Sequence, residues 1–128
     1  MTPADLRAIA ARVMAGEDGF RFSILKGMGW EYLGARRWLM PAGQYVDEPD
    51  VLHSLDAADL LMAPLRERGW RTRIGEKEPG DWYAIGHHKS VSEPVFTSAT
   101  AHTEPRARTA LALLCRAAEL EHADADQR

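Results

Sequence analysis

The chain has 128 residues, 45% of them hydrophobic and 27% charged, with a net charge of −3. A chain of that size forms one domain and buries about two-thirds of its unfolded surface without metal or disulfide. One cysteine excludes an intrachain disulfide, no apolar run nears the ~20 residues that cross a bilayer, and the mild acidity offers no global attraction for nucleic acid.

Thr2-Pro3-Ala4-Asp5 opens a helix, with Thr2 as cap, Pro3 at the first helical position and Asp5 near the positive end. Leu6, Ile9, Ala10 and Val13 follow at i, i+3, i+4 and i+7, and Gly16 to Gly19 ends the pattern. This polar, capped start lacks the basic-then-apolar form of a secretory signal, so cytoplasm is the expected compartment. A shorter helix is predicted from Gly19 to Lys26, stopped by Gly27. Glu31–Leu33 and Arg36–Met40 read as a hairpin turning on Gly34-Ala35, and residues 41–51 read as an acidic loop.

Ser54 caps a third helix whose apolar face is Ala57, Leu60, Leu61 and Leu65 and whose stop is Gly69. Pro64 inside it predicts a kink or an early loss of helix, because proline cannot donate to the carbonyl of Leu60. Trp70, Thr72 and Ile74 alternate with Arg71 and Arg73, as in a half-buried strand. A loose turn over 75–81, a return strand from Trp82 to His88 and a further strand from Pro94 to Thr100 come next, with Ser90 and Ser92 in a loop.

The longest helical pattern closes the chain, from Thr103 as cap to Glu121. Ala107, Leu111, Leu114, Cys115 and Ala118 form its stripe, widened by Leu113, Ala117 and Leu120, so it needs a sheet to lie against. The sum is an α+β fold in the order ααββαβββα, a small antiparallel sheet layered with helices. It forms a single domain over 1–122, with a disordered tail at 123–128.

Reactive constellations are missing. His87 and His88 are adjacent on a strand and point to opposite faces, and no CxxC, HxxxH or HExxH spacing occurs, so no metal site is expected. Cys115 lies on the buried stripe and Ser54 is a cap, which leaves no nucleophile, and no glycine-rich phosphate loop follows a strand. The chain reads as a non-enzyme without cofactor.

The informative set mixes aromatics with arginines. Arg71, Arg73, Arg37, Trp38, Tyr83 and His87 are the candidate binding residues, because tryptophan and arginine dominate binding hot spots and arginine forks onto phosphate. The competing reading puts the tryptophans in the core and the arginines in water. From Ser54 onward the order αβββα is also that of a double-stranded-RNA-binding domain, which would use Arg106 and Arg108 at the start of the last helix. Glu104 and the net acidity argue against nucleic acid as the partner.

Several stretches together resemble the phage ABA-sandwich domain family of bacteriophage and prophage proteins. These are Met28-Gly29-Trp30, the aromatic hairpin from Tyr32 to Trp38, and His53-Ser54-Leu55-Asp56-Ala57-Ala58. They continue with Trp82 and Ala84, and with Ala110 to Leu113 followed by Cys115 to Ala118. The resemblance spans residues 5–120 and implies helix–sheet–helix layering, a phage or prophage origin and a bacterial host cytoplasm. It implies no catalytic residues. The acidic segment 46–50 and the run between Lys89 and Thr103 are longer than the family pattern. The expected function is therefore that of an accessory protein that binds a host protein, such as an antiviral-defence component of the CRISPR type. Asp47, Glu48 and Asp50 would there imitate a phosphate path. The alternatives are sequestration of a nucleotide-type signal and binding to duplex nucleic acid. A homodimer fits all three.

Overall fold

A computed structural model describes residues 1–89 and 94–126 of the chain. Among them, four helices and six strands follow the order α1 (Pro3–Met14), α2 (Arg21–Gly27), β1 (Glu31–Gly34), β2 (Arg37–Leu39), β3 (Tyr45–Asp47), α3 (Leu55–Glu67), β4 (Trp70–Glu78), β5 (Asp81–Lys89), β6 (Pro94–Ala101) and α4 (Glu104–Asp126). The fold is α+β, as the pattern predicts. It has two three-stranded antiparallel sheets, ordered β1-β2-β3 and β4-β5-β6, where the sequence suggested one. The loop reading of Ser90 and Ser92 lies outside the described residues.

α4 is the spine. It packs against α1, α3, β5 and β6, so it is buried on most of its circumference rather than along one stripe. Ala107, Ala110, Leu111, Ala112, Leu113, Cys115 and Ala117 are all fully buried, while Leu114 is half-buried. Each buried leucine contributes roughly 1.5–3 kcal/mol, and the alanines let neighbouring elements come close. One close approach is at Gly86 of β5, where a Cβ would stand 2.9 Å from Cys115 Sγ and 3.3 Å from Leu111 Cδ1. Thr103 precedes α4 and its carbonyl accepts from Ala107 N at 3.1 Å, but its hydroxyl has no partner among the described residues, so the expected side-chain cap is not made. α4 continues through residues expected to fray, as far as Asp126.

The α1 cap is as predicted. Thr2 accepts from Asp5 N, and the Asp5 carboxylate accepts from Thr2 N, which holds the Asp5 pKa down. α2 includes Gly27 rather than stopping there, and the chain turns at Gly29, which has φ +89°. The first hairpin turns one residue later than expected, at Ala35 (φ 50°) and Arg36 (φ 62°), with a register shift between Tyr32 and Gly34. The shift puts Trp38 opposite Tyr32, and Trp38 is completely buried. Two left-handed residues cost roughly 1–2 kcal/mol each. Burying a tryptophan stabilises by roughly 4–6 kcal/mol and decides the register.

The acidic loop contains a strand that the sequence reading lacked. β3 pairs with β2 so that Val46 sits beside Trp38. α3 runs through Pro64 to Glu67, because the proline stands in the last turn and forfeits only its bond to Leu60. Leu60 is 36% exposed, and Ala58 and Met62 are buried in its place. The loose turn over 75–81 is instead the end of a long hairpin that closes at Pro79-Gly80, with Gly80 N donating to Glu76 Oε2 at 3.1 Å.

Candidate functional site

Alternation divides the sheet β4-β5-β6 into two unlike faces. Trp70, Ile74, Ala84, Gly86, Val95 and Ala99 point toward α4 and are buried or half-buried. The opposite face carries three cross-strand rows, Arg71–His87–Phe96, Arg73–Ile85–Ser98 and Gly75–Tyr83–Thr100. Arg71, Arg73, Ile85, Phe96, Ser98 and Thr100 are exposed, and no element among the described residues covers them. The helix–sheet–helix layering that the resemblance implies does not hold for this sheet.

Four of the six candidate binding residues, Arg71, Arg73, Tyr83 and His87, therefore share one surface. The other two do not. Arg37 is exposed and Trp38 buried in the sheet β1-β2-β3, where Trp38 packs 5.2 Å from Phe22 and 5.0 Å from Tyr32 and donates to Glu48 at 3.3 Å. Trp30, Trp38 and Trp70 are all at most 3% exposed, so the reading of the tryptophans as core holds for them.

The aromatics of the open face are of other kinds. Phe96 is 69% exposed and lies parallel to His87, with centroids 4.5 Å apart and planes 10° apart. The Tyr83 ring lies flat across β4, because Gly75 opposite has no side chain. His88 points the other way, as its place on the strand requires, and its Nε2 is 2.9 Å from the carbonyl of Arg68.

Among the described residues, charge on this face is of one sign except at the hairpin tip, where the cross-strand partners Glu78 and Asp81 stand. Lys77 joins Arg73, Tyr83 and Ile85 around a depression of about 500 Å³, and Lys89 joins Arg71 and His87 around another of about 280 Å³. Among the described residues, nine of twelve arginines have a carboxylate partner, and the exceptions are Arg37, Arg71 and Arg73. Taking Arg71, Arg73, Lys77 and Lys89 away from a chain of net −3 leaves −7 for the rest. The molecule is an acidic body with one basic sheet face.

The alternative binding residues are committed elsewhere. Arg106 is 3% exposed and donates to the carbonyls of Val13 (3.4 Å) and Glu17 (2.9 Å) and to the Asp18 carboxylate. It closes the C-terminal end of α1, where cationic donors suit the helix dipole. Arg108 pairs with Glu104 at 3.1 Å and with Asp59 at 3.8 Å. Neither is free at the start of α4, as duplex binding there would require. In the acidic segment, Glu48 accepts from Trp38 and lies 3.8 Å from Arg36, and Asp50 binds His53 and lies 3.7 Å from Arg21. Only Asp47 is exposed without a partner among the described residues, so the segment presents no row of free carboxylates.

A third depression, of about 320 Å³, lies between Trp70, His88, Val95 and the end of α4. Its carboxylate is Glu119, which accepts from Arg68 Nε at 2.7 Å, Arg68 Nη2 at 2.8 Å and Trp70 Nε1 at 3.3 Å. Burial pushes the Glu119 pKa up, but the Arg68 fork outweighs it and the net shift is downward. Burial, with a smaller push from Glu119, raises the Cys115 thiol far above its ordinary pKa, so it stays protonated and packs as a small hydrophobe. No group of three or more histidine, cysteine and acidic side chains among the described residues is placed to hold a metal ion. None of the described helices is long and apolar enough to cross a membrane.

The sequence reading missed Phe96, Ile85, Lys77 and Lys89. The signal for Phe96 was its phase, since Val95, Thr97, Ala99 and Ala101 take the inward positions and leave the one large ring among the hydroxyl residues. Comparison with protein-family models, curated proteins and solved structures gives no match for the chain.

Proposed function

We propose that this chain is a non-catalytic binding protein whose working surface is the open face of β4-β5-β6 and whose partner is phosphate-bearing. The observation that carries this is the state of Arg71 and Arg73, exposed and without a carboxylate partner among the described residues while most other arginines are paired. Guanidinium groups left open beside flat rings suit a ligand that joins phosphate to a π system. Action of phage or prophage type against a host defence component rests on the motif resemblance. A host-protein partner loses the support of the acidic segment, whose Glu48 and Asp50 are neutralised within the fold.

Retention on a heparin matrix tests the reading. The protein is expected to bind at low salt despite its net charge of −3 and to elute as salt rises. Arg71→Glu with Arg73→Glu is expected to abolish retention. Lys26→Glu with Arg37→Glu makes the same charge change off the face and is expected to leave most of it. Equal behaviour of the two double variants, or no retention of the native protein, overturns the proposal.

A further inference from the structure

We infer that the occupant of this face is a single-stranded nucleic acid, its backbone along β4 and its bases stacked toward β6. The inference rests on the anion-binding reading above and names the partner. Its first support is spacing. Residues two apart on a strand face the same way and stand ~7 Å apart, close to the separation of successive phosphates in an extended single strand. Arg71 and Arg73 have that spacing, and Lys77 continues the row to a length of roughly 20 Å. A free nucleotide would engage only a fraction of such a row.

The second support is the position of the rings. His87 and Phe96 lie on the side of Arg71 away from the free edge of β4, along the same cross-strand row. His87 backs one face of the Phe96 ring, and the 69% exposure of Phe96 leaves the other to solvent. A base seated there would complete a three-layer stack, with a phosphate one strand away at Arg71. Tyr83 offers a second flat surface, and Ser98 and Thr100 supply hydroxyls beside the bases. Stacking accepts any base, so the surface would bind with little sequence preference. A duplex keeps its bases within the helix and would leave both rings unused. A run of acidic side chains has charge but no flat rings to match them.

Fluorescence anisotropy with labelled oligonucleotides of about 20 residues tests this, in single-stranded and hairpin-duplex forms at low salt. Single strands are expected to bind at least about tenfold more tightly than the duplex. Phe96→Ala is expected to weaken them by about five- to a hundredfold without changing the salt slope, because it removes stacking and no charge. Arg71→Ala with Arg73→Ala is expected to lower the slope by about 1.4, at roughly 0.7 per phosphate contact on a single strand. Thermal unfolding confirms that each variant is folded, which the exposure of these side chains favours. Polyphosphate, polyglutamate and AMP serve as competitors. If single strand, duplex and polyphosphate bind alike and Phe96→Ala changes nothing, the inference falls and anion binding on the face stands. Displacement by polyglutamate or by micromolar AMP as readily as by oligonucleotide also overturns it. If no polyanion binds and the heparin result is also negative, both readings fall.

Discussion

Tyr83 lies across Gly75, so close that a Cβ on the glycine would stand 2.6 Å from the phenolic oxygen. The two are cross-strand partners on the open face, and the absent side chain lets the ring lie flat instead of standing up into solvent.

Gly75→Ala therefore changes the face more than the fold. The clashing atoms are the far end of one side chain, which can swing away, so stability should move by less than about 1 kcal/mol in urea unfolding. The displaced ring no longer offers its flat surface, and oligonucleotide affinity should fall by roughly fivefold, as expected for loss of part of one stacking contact. A large loss of stability with unchanged affinity would contradict this.

Gly86→Ala should behave in the opposite way. Its Cβ meets Cys115 Sγ at 2.9 Å and Leu111 Cδ1 at 3.3 Å inside the α4 contact, where neither neighbour can leave. Overpacking there should cost about 1–3 kcal/mol. Cys115→Ala on the Gly86→Ala background should recover part of that loss, and a double-mutant cycle by urea unfolding measures the coupling.

Much of this architecture could be read in the residues and some could not. The Thr2 cap, the Ser54 cap and the opposite aims of His87 and His88 follow from local chemistry and alternation, and all three are present. The register of the first hairpin does not, because burial of Trp38 over-rides the glycine that marks the turn locally. β3 has one inward apolar residue, Val46, too little for an alternation signal. The availability of an arginine is also invisible in sequence: Arg71 and Arg106 look equally free until one proves exposed and the other enclosed by α1.

Arg106→Met should destabilise the fold by about 2–4 kcal/mol, since it removes charge-assisted bonds to two backbone carbonyls and to Asp18. Arg106→Lys should recover little, because an ammonium cannot fork among three acceptors. Denaturant midpoints of the two variants check both statements. Heparin retention should not change, because Arg106 lies off the open face of β4-β5-β6.

Glu119 sets an acid limit. Its folded-state pKa is below the ordinary value, so its stabilisation is complete above the unfolded carboxylate range near pH 4.5 and is lost as pH falls through the folded value. Arg68, whose pKa the same pair raises, remains charged throughout that window. Glu119→Gln should therefore be less stable than the native protein at pH 7, and the difference should shrink steadily below about pH 4.5. Thermal unfolding across that range follows it. A gap that stays constant to low pH would mean that the Arg68 fork contributes nothing through charge.

The concentration of cations on one face of an acidic body makes the protein an electric dipole. Near a polyanion it turns its basic side inward before touching, which shortens the search for a productive encounter and makes the association rate fall with salt. The same asymmetry acts between copies. Molecules bound to one strand through the basic face would keep the remaining charge of −7 turned outward and repel, so occupancy should spread along the strand instead of growing in clusters.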